Sequence, residues 1–362
     1  MDETLEQLEN KTLEEDDFGE VPPSDIVAYN ELRSCADLYR MKDQGILDIQ
    51  PEFQRDIVWK GPDQTRFIDS LIKQLPIPSM CFALDHKIQK WIVIDGLQRI
   101  STIVRFLEGG DWKLSKLEDV EPGIAGKSVA AIKTSETRLH DYYTRVENLS
   151  IPVTVLRCDF SKRTHMEYLF TIFHRLNTAG MKLNNQEIRN CIYGGTFNNL
   201  LKTLDDNTSW RRINKMKKGL SYRFTKQEIM LRFFAFYDGH SDYEGHLAKF
   251  LNTYMHQHRE PDHDFIVEKQ RLFERTVEVV DRCIFDAKAP PKLSITVLEA
   301  LLFGVGNNLD YLEELEAERV KALYESMISN PEFSESSLKE GLSKKQRVID
   351  RLDTAAMIFA GQ

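Results

Sequence analysis

The chain has 362 residues, 41% hydrophobic and 29% charged, a balance that suits two or three globular domains and excludes a fibrous or wholly disordered chain. Its apolar runs all fall short of the ~20 residues of a membrane span, and Met1-Asp2-Glu3-Thr4 opens without a basic region or apolar core, so a cytoplasmic protein with no membrane partner is expected. The net charge of −9 is uneven: nine acids against Lys11 in residues 1–20 give −8, leaving about −1 for the remainder, so charge does not exclude nucleic acid.

Residues 1–28 are expected to be an acidic flexible tail, most simply a solvated one. Tyr29 to Met41 reads as a helix with Leu32, Cys35, Ala36 and Leu38-Tyr39 on its apolar side, stopped by Gly45. Pro51-Glu52-Phe53-Gln54-Arg55-Asp56-Ile57-Val58-Trp59 reads as a loop held by Phe53 and Trp59, with Gln54 and Arg55 as polar tips. Gln64 to Leu75 is an amphipathic helix, with Phe67, Ile68, Leu71, Ile72 and Leu75 as its stripe, Asp63 as N-cap and Pro76 as stop. Met80–Leu84 and Gln89–Ile94 form a hairpin around Asp85-His86-Lys87.

Trp91 to Leu107 is the most informative stretch. A short β-branched strand ends at Asp95-Gly96, and Ile100, Ile103, Val104 and Leu107 then recur at helical spacing. Gln98, Arg99, Ser101 and Thr102 therefore fall at the start of a helix, just past a glycine. Unpaired N–H groups and the positive dipole end there suit an anion, and an arginine adds a charged fork that fits phosphate. The plainer alternative is that Asp95 caps the helix and Arg99 is solvated.

Residues 111–150 show no clear pattern. Ile151–Cys158 is another strand, with Pro152 near its start, and Thr164–Leu176 a helix flanked by His165 and His174, read as surface or satisfied histidines. Asn177-Thr178-Ala179-Gly180 ends that helix, and Asn184 with Glu187 forms a capping box that opens the next. Beyond Gly194-Gly195 the pattern is helical. Trp210-Arg211-Arg212-Ile213-Asn214-Lys215-Met216-Lys217-Lys218 is the strongest basic run; it reads either as a solvated face or as a track for a phosphate backbone, with Trp210 and Tyr222 as stacking aromatics. His256, His258 and His263 cluster, but at a helix end rather than in a metal-nuclease arrangement. Five scattered cysteines without a C-x-x-C pair argue for a reducing compartment.

Three of these segments, in order, resemble the GmrSD-type family, the N-terminal domain of certain modification-dependent restriction systems. They are Pro51-Glu52-Phe53-Gln54-Arg55-Asp56-Ile57-Val58-Trp59, then Asp95-Gly96-Leu97-Gln98-Arg99, then Leu176-Asn177-Thr178-Ala179-Gly180 with Gln186-Glu187-Ile188-Arg189-Asn190. Leu231–Ala235 and Gly245–Leu251 also look similar to the family's helical part, extending the resemblance over roughly residues 30–330. The resemblance implies an α+β fold: a ParB/sulfiredoxin-like mixed core at 29–195, followed by an all-α domain at 196–362. It also implies a component of a DNA-targeting, anti-phage system that binds and hydrolyses a nucleoside triphosphate with Mg²⁺ or another divalent cation. Asp95 would orient water or hold the metal, Gln98 would position water or a phosphate oxygen, and Arg99 would clamp phosphate. Gln54, Arg55, Gly96, Ser101, Thr102, Asn177, Thr178 and Arg189 would complete the nucleotide site. The basic run supplies Arg211, Arg212, Lys215, Lys217 and Lys218 as candidates for DNA contact. DNA, a separate nuclease or defence subunit, and a second copy of the chain are the partners implied. The alternatives are a nucleotide- or DNA-binding module without turnover, or a ParB-like nuclease. Two departures matter. Leu97 stands where the family has glutamine, and sulfiredoxin a cysteine; and residues 196–362 show no HNH-like histidine signature, which counts against independent cutting.

Overall fold

A computed structural model describes residues 4–5, 7–9, 22–49, 59–176, 183–215, 225–291 and 293–362. The chain divides into two compact units: residues 20–182, and residues 183–362 together with 1–19.

The first unit is built on a five-stranded mixed sheet. In chain order its elements are β1 (Val27–Ser34), α1 (Cys35–Asp43), β2 (Leu47–Asp48), α2 (Gly61–Ile72), β3 (Met80–Asp85), β4 (Lys90–Asp95), α3 (Leu97–Glu108), α4 (Val129–Lys133), α5 (Leu139–Asn148), β5 (Ser150–Cys158) and α6 (Arg163–Leu176). The strand order is β1-β5-β3-β4-β2, with β3 antiparallel to β4 and parallel to β5. Strand side chains alternate between faces. Met80, Phe82 and Leu84 enter a core with Leu38, Ile68, Leu71, Ile100, Ile103, Phe106 and Val146. Cys81, Ala83, Ile92 and Ile94 are buried as well, and α6 packs on β4. Burial on both faces explains why these strands read as continuous apolar runs. Near its end the β3–β4 ladder carries a bulge: Phe82 pairs with Val93 but Cys81 with Asp95, leaving Ile94 as the extra residue.

The helix expected over Tyr29–Met41 is half strand. Val27–Ser34 pairs antiparallel with β5, Leu32 is 71% exposed, and the helix begins only after Ser34, whose side chain accepts from the Asp37 amide. In α2, Asp63 lies inside the first turn rather than at the cap and accepts from the Lys60 amide at 3.2 Å. Residues 111–150 contain α4 and α5, which deliver Val129, Ile132, Tyr143 and Val146 to the core.

The described part of the second unit is helical apart from a buried acidic contact from the N-terminal segment. Its elements are α7 (Asn185–Ile192), α8 (Thr196–Leu204), α9 (Thr208–Ile213), α10 (Thr225–Gly239), α11 (Leu247–Gln257), α12 (His263–Val279), α13 (Ile295–Gly306), α14 (Leu309–Glu313), α15 (Ala317–Ser329), α16 (Glu335–Lys339) and α17 (Lys345–Phe359). Helix α13, buried nearly throughout, packs against α10, α12 and α17. Phe197, Trp210, Phe234 and Phe273 supply an aromatic core. The α+β class expected from the sequence is what the structure shows. The division differs from an expected break after residue 195: α7, with its Asn184–Glu187 capping box, packs on α10 and α11 and so joins the helical unit. The expected flexible tail is corrected at both ends: Val27 and Ala28 already belong to β1, and Glu9 is buried against α13.

Candidate functional site

The strand, turn and helix start are as the sequence predicts. β4 ends at Asp95, Gly96 turns the chain, and α3 starts at Leu97. Gly96 has φ 97° and ψ 15°, the left-handed region that favours glycine. A Cβ there would also lie 2.6 Å from Met80 Cγ, so two independent constraints select glycine. A glycine has no side chain to cap with, so the N-cap position of α3 supplies no side-chain hydrogen bond. The first helical backbone bond runs from the Ile100 amide to the Gly96 carbonyl. The amides of Leu97, Gln98 and Arg99 lie ahead of it, without a hydrogen-bond partner among the described residues, at the positive end of a twelve-residue helix.

Arg99 lies against this turn. Its Nη2 donates to Asp95 Oδ2 at 2.7 Å, and its Nη1 donates to the Pro78 carbonyl and, at 3.4 Å, to that of Ser79. The guanidinium is 14% exposed and the Asp95 carboxylate 38%. Arg99 therefore ties the end of β4 to the segment entering β3. The Pro78 and Ser79 carbonyls are members of the site that sequence reasoning missed; the only signal was the proximity of Pro76-Ile77-Pro78 to a strand. The plainer alternative of a solvated Arg99 does not hold, and Asp95 pairs with this side chain rather than capping α3. Gln98 Oε1 accepts from the Trp59 amide at 3.3 Å, and the Trp59 ring meets Phe67 edge-on at 5.3 Å. The second motif's glutamine thus holds the last residue of the first motif, whose Gln54 and Arg55 lie outside the described residues.

The remaining predicted residues separate. Thr102 is fully buried and its hydroxyl donates to the Gln98 carbonyl at 2.7 Å, so it is helix interior and not a ligand contact. Ser101 is 5% exposed, and its Oγ has no hydrogen-bond partner among the described residues. Asn177 and Thr178 lie outside the described residues. Arg189 is corrected outright. It belongs to the helical unit, is 1% exposed, and its Nη1 and Nε donate to Glu228 Oε2 and Asn252 Oδ1, each at 2.8 Å. A guanidinium fixed in a buried ion pair is not presented to phosphate.

The basic run is described only in part. Trp210 is buried on Phe273 rather than available for stacking. Arg211 donates to the Asp205 carbonyl at 3.0 Å and pairs with Asp206; Arg212 pairs with Asp281. Lys215 is exposed, and Lys217, Lys218 and Tyr222 lie outside the described residues. Among the histidines, His165 is buried, takes the Asp159 amide at 3.0 Å and meets Asp25 at 2.9 Å, as expected of a satisfied histidine. His258 stacks on Phe265 at 4.5 Å, and burial lowers its pKa. Among the described residues no three His, Cys, Asp or Glu side chains group as metal ligands. A cation at the turn would have Asp95 as its one described carboxylate. That donor set fits Mg²⁺, which takes its other ligands from water and phosphate oxygens, rather than zinc.

Fold and site together define an α+β domain in which a helix N-terminus, without a side-chain cap among the described residues, lies beside a fixed arginine. Residues 35–194, somewhat under half of the chain, match the family model described as the GmrSD restriction endonuclease N-terminal domain. All three motifs that carried the resemblance lie inside the matched residues, so the family expected from them is borne out there. The match stops before Leu231–Ala235 and Gly245–Leu251. It includes α7, so the family segment extends beyond the sheet unit. None of the curated proteins and none of the solved structures matches the chain.

Proposed function

We propose that the chain is a component of a restriction-type, DNA-targeting defence system, and that its first unit binds and hydrolyses a nucleoside triphosphate at the Asp95–Arg99 turn. The observation that carries this reading is the start of α3, where amides without a partner among the described residues and the Arg99 guanidinium lie within one helical turn. Such amides hold phosphate oxygens at little reorganisation cost. Asp95 fixes the Arg99 fork at one edge, which pre-orients it for a planar, charge-assisted contact. Gln98, held through Trp59, is the amide side chain placed to orient a water. Mg²⁺, held by Asp95 and phosphate oxygens, would neutralise phosphate charge. DNA as the target, and a separate nuclease subunit as partner, follow from likeness to a restriction endonuclease domain.

The test is phosphate release from ATP, GTP, CTP and UTP with Mg²⁺, with and without DNA, on wild type and Arg99→Ala. Turnover with one nucleotide, reduced at least ~100-fold in Arg99→Ala, is the expected result. Arg99→Lys keeps the charge but loses the fork, and falls between the two. No turnover by folded wild type with any nucleotide overturns hydrolysis. Retained nucleotide binding by dialysis would then leave a binding module.

A further inference from the structure

A cavity of about 380 Å³ opens between the C-terminal end of α10 and one face of α11, a size within the range of small-molecule sites. From α11 and its N-cap it takes His246, Lys249, Phe250, Thr253, Tyr254 and His258, a spacing that sets one whole face of the helix along it. From the other side come Asp238 and Gly239 of α10, with Asp242 and Glu244 just beyond. The cavity belongs to the helical unit and lies outside the matched residues 35–194.

Packing fixes the walls. The Tyr254 hydroxyl donates to Asp238 Oδ2 at 2.6 Å, and Lys269, 4% exposed, pairs with Asp238 Oδ1 at 2.5 Å. The Lys269 ammonium lies 5.3 and 5.1 Å from the centres of the Tyr237 and Phe265 rings and 3.9 Å from Glu268. Phe250 stacks on Phe236 at 5.2 Å, and His258 on Phe265 at 4.5 Å. Walls held in this way exist before a ligand arrives, so little binding energy is lost in ordering them.

The charges around the cavity do not all balance within the fold. Asp238 has Lys269, and Glu244 has Lys345 at 2.8 Å. Asp242 and Lys249 remain, one of each sign. Neither side chain forms a hydrogen bond or an ion pair among the described residues, with the other or with any third group. Both also stand at the wrong end of a helix. Asp242 ends the short 3-10 helix His240–Asp242 that follows α10. Its carboxylate lies against Gly239, the last residue of α10, where a Cβ would be 3.3 Å from Oδ2. A helix C-terminus carries partial negative charge and disfavours a carboxylate. Lys249 lies in the first turn of α11, which holds no acidic residue and receives no side-chain cap from His246. A helix N-terminus disfavours a cation. Two local rules are broken beside one cavity with no compensation inside the fold, and that pattern points to a ligand.

We infer that this cavity binds a small zwitterion of the amino-acid class. Its ammonium group meets Asp242 at the end of α10, its carboxylate meets Lys249 at the start of α11, and its carbon skeleton lies on Phe250 and Tyr254. A ligand with both charges satisfies two residues that do not pair with each other. A simple amine or a simple carboxylic acid satisfies only one.

The test is calorimetric titration of the full-length protein with each of the common L-amino acids, and with γ-aminobutyrate and ε-aminocaproate, whose charges stand further apart. At least one of them binds, and its affinity falls at least ~tenfold in Asp242→Asn and in Lys249→Gln. The decarboxylated amine of that ligand binds wild type and Lys249→Gln equally, and Asp242→Asn weakly. This split separates contact with the ligand from a general change in the cavity. No binding by any of these compounds, or unchanged affinity in either variant, overturns the inference. Urea unfolding without ligand gives an independent reading. Each charge opposes its own helix end, so Asp242→Asn and Lys249→Gln are at least as stable as wild type. Loss of stability in both means that these charges serve the fold and that there is no site.

Discussion

Gly96 and Arg99 act differently within one turn of chain. Gly96 is selected by backbone geometry and by Met80, so Gly96→Ala pays both the left-handed strain and the 2.6 Å approach. A loss of about 1–3 kcal/mol in urea unfolding is expected. Arg99 is selected by charge and shape, and its replacement acts on the site before it acts on stability. Asp205 shows charge of another kind. Burial raises its pKa to about 6, above the ordinary ~3.9 of an unfolded aspartate. The folded state thus keeps the proton longer than the unfolded state. Stability is unpenalised below about pH 4, falls as pH rises from there to about 6, and stays lower above it. Asp205→Asn keeps an acceptor for Gln227 and is expected to gain about 1–2 kcal/mol at pH 7. The gain should vanish below pH 4 in chemical denaturation series.

At the scale of elements, α7 decides how the third motif is to be understood. Its capping box was fully legible, because Asn184 and Glu187 are three residues apart and answer each other's amides. The role of Arg189 was not, because its partners Glu228 and Asn252 lie 39 and 63 residues further on. Arg189→Met should cost about 3–5 kcal/mol by stranding part of a buried network, measured as a lowered unfolding midpoint. A phosphate-contacting arginine would instead change nucleotide affinity and leave stability nearly untouched. The strand–turn–helix at residues 91–107 was readable because everything it needs is local: a β-branched run, a glycine, then helical spacing. β1 was misread because its pairing is remote, Val27 with Arg157, while Cys35 to Met41 imposes a true helical period on its neighbour. Arg211 and Arg212 of the basic run are a similar case. Composition recorded the cations but not Asp206 and Asp281, which take them up.

Over the whole molecule, the five cysteines form no disulfide with one another. Burial pushes the Cys35, Cys81 and Cys158 thiols up to about 12, and Cys191 is buried too. Only Cys283 is part-exposed. Iodoacetamide at pH 8 should therefore modify Cys283 alone in the folded protein and all five in urea, read by peptide mass mapping.

The bulge at Ile94 sets a rule about chain length. Because β4 carries one residue more than β3 at that step, removing Ile94 would restore a regular ladder with Asp95 still opposite Cys81, but would take away the local bend and added twist that the bulge gives the end of β4. Asp95 and Arg99 would then meet in a changed geometry without any change in residue type at either position. The β4 side of the hairpin is thus sensitive to insertions and deletions. The turn at His86–Gln89, at the far end of the hairpin, is where added residues would leave the register near Asp95 untouched.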